Sequence, residues 1–161
     1  MLISVTSDTF TRPADTTAYA SGDLVANSTT AGSVTPLTLK IWPSGSGQTI
    51  IQRVRLAKTG TSVANAAFRV HFYQATQTVA NGDNAAWSSS GAQDYLGNVD
   101  VTAMYAFTDG ANGFGAAAAG AEMRYKLKTG ATIYALIEAR GAYTPASAEV
   151  FTLYVECLDA Y

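Results

Sequence analysis

The chain has a single imidazole, His71, in the stretch Phe68-Arg-Val-His-Phe-Tyr73. A nucleophilic triad would need that ring between a Ser or Cys and a carboxylate, and no Gly-x-Ser-x-Gly elbow is present to present the nucleophile. Alternation with Arg69 and Tyr73 instead puts His71 on the outer face of a strand, as a solvent or interface histidine. Paired carboxylates could serve glycoside hydrolysis, and Asp94, Asp100, Asp109, Glu138, Glu149 and Glu156 are available. Glu138 and Glu156, however, fall on strand faces, while Asp83 and Asp109 sit beside glycines in turn sequences. Asn81-Gly-Asp-Asn84 groups oxygen donors of the kind calcium prefers, but it lacks the EF-hand pattern and is ordinary turn chemistry. Neither a catalytic residue, a metal site nor a cofactor is therefore expected, and the chain reads as a non-enzyme.

What remains is recognition chemistry. Trp42, Trp87, Tyr95 and Tyr143 offer rings that could stack on sugars or anchor a protein contact. Arg53 and Arg55 form one alternating basic stripe, and Arg124, Lys126 and Lys128 form another. Arg12 and Tyr19 stand in an irregular N-terminal segment that could lie against a neighbour. The candidate interface or ligand contacts are thus Arg12, Tyr19, Arg53, Arg55, Trp87, Tyr95 and Tyr143.

The elements that must position them are strands. Period-2 alternation recurs at Ile50–Leu56, Phe68–Tyr73, Arg124–Lys128, Ile133–Glu138 and Phe151–Cys157, with shorter candidates at Leu2–Val5, Asp23–Asn27 and Thr35–Ile41. In the first of these, Ile50, Val54 and Leu56 are expected on one face, with Ile51, Arg53 and Arg55 on the other. Ile133–Glu138 is apolar on both faces, which predicts a central strand. Cys157 shares the Phe151/Leu153/Val155 face and is expected as a small buried side chain. Turn sequences at Ser44–Gly47, Thr59-Gly60, Asn81-Gly82, Asn112-Gly113 and Thr129-Gly130 separate the runs. Gly115-Ala-Ala-Ala-Ala-Gly120 would make at most one helical turn. The fold expected is all-β: a single antiparallel, jelly-roll-like β-sandwich of about eight strands, with a long loop around 76–98. Residues 1–22 read as an N-terminal arm packed on the domain or a neighbour, and 23–161 as the sandwich.

Composition agrees with this organisation. The 161 residues carry 14% charged side chains and a formal net charge of −2, which disfavours a nucleic-acid surface. One Cys excludes a disulfide framework. The first residues lack a basic and an apolar signal region, and no run of about 18 apolar residues suggests a membrane span. Charge is nonetheless uneven: residues 1–69 sum to +3, 70–123 to −5 without one Lys or Arg, and 124–161 to zero. Such a split lets one face attract the opposite face of a neighbour.

Several stretches carry a likeness to known proteins: Thr11–Leu37, Arg53-Val-Arg-Leu-Ala-Lys-Thr-Gly-Thr-Ser62, Asn65-Ala-Ala-Phe-Arg-Val-His71, Asn81–Trp87 and Ala139-Arg-Gly-Ala-Tyr-Thr-Pro-Ala-Ser147. Together they resemble a group of small structural proteins encoded by tailed bacteriophages. The resemblance implies a virion component, first of all a capsid decoration (cement) protein, made in the host cytoplasm and carried on the capsid surface. It implies as partners the major capsid protein and copies of the chain itself, a trimer being one arrangement. The alternative is a tail- or fibre-associated module that binds a surface glycan during host adsorption.

Overall fold

The computed structural model describes residues 3–41, 48–89, 91–126 and 132–160. Trp42, Ser44–Gly47, Lys128 and Thr129-Gly130 lie outside these residues. Eleven strands are present among the described residues: β1 (Ile3–Thr11), β2 (Leu24–Val25), β3 (Leu37–Lys40), β4 (Gln48–Lys58), β5 (Phe68–Tyr73), β6 (Tyr95–Val101), β7 (Met104–Phe107), β8 (Gly110–Ala116), β9 (Met123–Lys126), β10 (Thr132–Ala139) and β11 (Val150–Ala160). They form two antiparallel sheets. One runs β1-β11-β4-β8-β7 with β9 also on β4; the other runs β2-β10-β5-β6 with β3 also on β10.

The order is nested. First pairs with last (β1 with β11), β2 and β3 pair with β10, β4 with β8, and β5 with β6. A long hairpin rolled on itself gives this pattern, so the molecule is an all-β sandwich of jelly-roll order. The core fills the space between the sheets. Val54, Leu56, Phe151, Leu153, Val155 and Cys157 come from one side; Phe68, Val70, Phe72, Val101, Ile133 and Ile137 come from the other. β10 is central, as its two apolar faces predict, and its outer side chain Leu136 enters a second cluster with Leu24, Ala26, Val34, Tyr73 and Val79. The segment after β5 thus lies over the outer face of the five-stranded sheet as a partial third layer.

Several expectations change. Ile3–Thr11 is a strand paired with β11 along its whole length, longer than the strand expected at Leu2–Val5. Beyond the expected strands, β6, β7 and β8 are strands too, and the long loop is shorter because β6 begins at Tyr95. Gly115 and Ala116 end β8 instead of starting a helical turn. In β4, Ile51 is buried with Val54 and Leu56, whereas Ile50 is turned outward. The reason is a register shift: Arg53 pairs with Glu156 while Ile51 pairs with Cys157, leaving Gln52 as an extra residue. A bulge of this kind reverses the inside–outside parity along a strand. It falls where β4 changes partner from β9 to β8.

Candidate functional site

Among the described residues, three places gather the candidate side chains: a buried ionic clamp, a recess over the five-stranded sheet, and the outer face of the six-stranded sheet.

The clamp takes up Arg12, Tyr19 and Tyr143. Arg12 has a fully buried side chain; its Nε donates to the Tyr19 hydroxyl at 2.9 Å and its guanidinium pairs with Asp83 at 3.1 Å. The Tyr19 hydroxyl donates to Asp83 at 2.6 Å, and the Ala26 amide donates to the same oxygen at 2.8 Å. The Tyr19 ring stacks at 6.2 Å on Tyr143, whose hydroxyl donates to Glu149 at 2.5 Å. Glu149 in turn pairs with Lys58 at 3.0 Å, and Lys58 also donates to the Gly60 and Ser62 carbonyls. Gly60 is required here, because a Cβ at that position would stand 1.9 Å from the Glu149 carboxylate. Burial pushes the Tyr19 and Tyr143 hydroxyls up and keeps both protonated. Tyr143 therefore presents no ring to solvent, and Asp83 is occupied by a cation, a hydroxyl and an amide of the chain itself. The clamp ties the residues after β1 to the Asn81–Asn84 turn and to the segment before β11.

The recess lies between β5, β6 and the Trp87 segment. Trp87 is fixed through its own amide, which donates to the Gly22 carbonyl at 2.7 Å, and through Asn81, which donates to the Ala86 carbonyl at 2.7 Å. Its indole stacks on His71 with centroids 4.1 Å apart. His71 is on the outer face of β5 as its alternation predicts, but Trp87 covers it and it is only 6% exposed. His71 Nε2 lies 2.8 Å from Glu138 and Nδ1 lies 3.1 Å from the Tyr95 hydroxyl. The carboxylate only accepts, so Nε2 carries the proton and Nδ1 accepts from Tyr95. Asn98 donates to Tyr95 at 2.8 Å, and Arg140 donates to the second Glu138 oxygen at 2.8 Å. Burial lowers the His71 pKa, so the ring is neutral at pH 7. Burial alone would raise Glu138; its hydrogen bonds from His71 and Arg140 outweigh this and hold it below the ordinary range. His71, Tyr73, Trp87, Ser89, Ala92 and Tyr95 line a cavity of about 360 Å³. Trp87 and Tyr95 are thus brought together, with His71 between them.

The third place holds Arg53 and Arg55. Strand register puts Val5, Glu156, Arg53 and Ala116 in one row across the sheet, and Ser7, Tyr154, Arg55 and Phe114 in the next. Arg53 grips Glu156 through Nε at 3.1 Å and a terminal nitrogen at 2.5 Å, and sits 5.5 Å above the Phe114 ring. Arg55 sits 3.8 Å above the Tyr154 ring and donates to Asn112 at 3.2 Å. Around them, Ile3, Val5, Phe114, Tyr105 and Phe107 are exposed, between 47% and 65%. Tyr105, Phe107, Phe114 and Tyr154 escaped the sequence reading. Tyr154 alternates opposite the core residues of β11 and was findable; Phe114 lies in β8, which its glycines disguise, and Tyr105 and Phe107 lie in β7, whose four residues are too few to show an alternation.

No protein-family model matches the chain, and no curated protein matches it in sequence. Among solved structures, the cyanophage Pam1 capsid asymmetric unit aligns over 98% of this chain and 85% of that one, with 9% identity and a TM-score of 0.35. The extra small virus particle of the giant freshwater prawn Macrobrachium rosenbergii aligns over 100% of this chain and 82% of that one, with 13% identity and a TM-score of 0.28. Function is accordingly argued from the side chains of the chain itself.

Proposed function

We propose that the chain is a non-enzymatic virion structural protein, a head decoration (cement) protein that binds the outer capsid shell in many copies. One observation carries this reading: the outer face of the six-stranded sheet exposes Ile3, Val5, Tyr105, Phe107 and Phe114 around two arginines that are already braced. Aromatic side chains and arginine are the residues enriched where protein surfaces meet, and buried anchors among them dominate binding energy. Bracing matters as well. Arg53 and Arg55 are held by Glu156, Tyr154 and Asn112, so less side-chain freedom is lost on docking. The sequence likeness to tailed-phage structural proteins supports the same reading. The proposed partners are the major capsid protein and further copies of the chain, and its place is the capsid surface after synthesis in the host cytoplasm.

Purified particles taken apart by heat or chelator test this directly. The chain is expected at a copy number comparable to that of the major capsid protein. A band at a few copies per particle would move it to the tail. A glycan-binding module on a tail or fibre is the second reading, favoured by the adjacency of Trp87 and Tyr95; silence on a glycan array would remove it.

A further inference from the structure

The recess over the five-stranded sheet has chemistry of its own, independent of the docking face. Its walls are rings: Trp87 stacked on His71, and Tyr95 tilted against Tyr73 at 5.3 Å between centroids. Its polar atoms other than Trp87 Nε1 are already paired. The Tyr95 hydroxyl is shared between His71 and Asn98, and Ser89 donates to the Tyr73 hydroxyl at 3.1 Å. Trp87 Nε1 is buried away from solvent, so the indole offers its carbon ring rather than its N–H. A polyhydroxylated ligand would find few free partners here. Charge points the same way. No Lys or Arg occurs from residue 70 to 123, the stretch that supplies every lining residue. The nearby cations Arg69 and Arg140 are each paired, to Asp100 and Glu138. Asp94, between lining residues Ala92 and Tyr95, accepts from the neutral amide of Gln74 at 3.1 Å and has no cationic partner among the described residues.

Ring faces, with a carboxylate in the segment that lines them, attract a weakly hydrated organic cation, because the quadrupole of each ring is negative over its face. We propose that this recess binds a quaternary ammonium group of the choline type. The cation would sit among Trp87, Tyr95 and Tyr73, with Asp94 supplying the longer-range attraction. No hydrogen-bond donor is demanded of the site, in keeping with walls whose polar atoms are either paired or, for Trp87 Nε1, buried away from solvent.

The test uses the full chain carrying Trp42→Phe, which leaves Trp87 as the only indole. Choline chloride and phosphocholine are titrated against Trp87 fluorescence, beside 3,3-dimethyl-1-butanol, the neutral isostere of choline, and a methyl glucoside. Choline is expected to saturate in the millimolar range and the isostere to bind at least about ten-fold more weakly, the difference being the charge. Tighter phosphocholine would assign the site to a headgroup, tighter choline to the free cation. Asp94→Asn, which preserves shape, should weaken choline a few-fold, and Tyr95→Leu at least about ten-fold. Equal binding of the isostere, preference for the glucoside, or no response to choline at about 50 mM overturns the proposal.

Discussion

At two places in this molecule an arginine meets a carboxylate and an aromatic ring, with opposite consequences. Arg12 pairs with Asp83 and lies 5.3 Å from the Tyr19 ring, with no exposed side-chain surface. On the outer sheet face, Arg53 pairs with Glu156 while half of its side chain stays in water, and Arg55 covers Tyr154. The partners are alike; the solvent is not. In the clamp each charge has lost its hydration, so the loss of one partner strands the other at high cost. On the face, water and counterions replace a lost partner, so the pair contributes little to the fold. Burial therefore makes the first arginine part of the architecture and leaves the second free to meet a partner.

The difference is open to attack from either side. The largest effect is expected for Arg12→Ala, which leaves Asp83 buried without its cation and should cost about 3–5 kcal/mol of stability. Denaturant unfolding measures it, and a variant as stable as the parent would dissolve the distinction. Next comes Gly60→Ala. The added methyl meets the Glu149 carboxylate and forces the Lys58 end of the clamp apart, for about 1–3 kcal/mol. By contrast, Arg53→Ala should leave the denaturation midpoint within error while weakening attachment to particles, measured by cosedimentation. Loss of stability without loss of attachment would reverse the roles assigned to the two arginines.

A smaller effect concerns acid. The folded state lowers the His71 pKa, so the unfolded chain binds more protons as pH falls below the ordinary histidine value of about 6.5. Stability contributed by neutral His71 is full above that value and drains away between it and the folded pKa. Glu138, also lowered, extends the loss further into acid. Unfolding curves from about pH 7.5 to 5 should show this slope, and His71→Gln should flatten it. An unchanged slope in the variant would show that His71 does not titrate between the two states.

How much of this was legible in the residues depends on how local the cause is. The alternation of Phe68–Tyr73, Ile133–Glu138 and Phe151–Cys157 is a local pattern, and those strands stand where it puts them. β8 was hidden because Gly113 and Gly115 are poor strand formers. They serve close approach: a Cβ on Gly113 would lie 2.4 Å from Met104 and Val101, and one on Gly115 would lie 2.3 Å from the Asp100 carbonyl. The parity of β4 was misread because a bulge depends on the partner strands, which the strand's own residues do not announce. Arg12, Tyr19 and Tyr143 look like surface side chains until Asp83 and Glu149, distant in sequence, close over them. Arg53 and Arg55 kept their expected place because nothing folds across them.

The central claim is that the arginine-bearing face is the one that docks. A cryo-electron microscopy map of the intact particle, at a resolution that shows side chains, tests it most directly. Arg53, Arg55, Tyr105, Phe107 and Phe114 are expected to be buried against the shell or a neighbouring copy. A chain bound to the shell through any other surface, with that face turned to solvent, would contradict it.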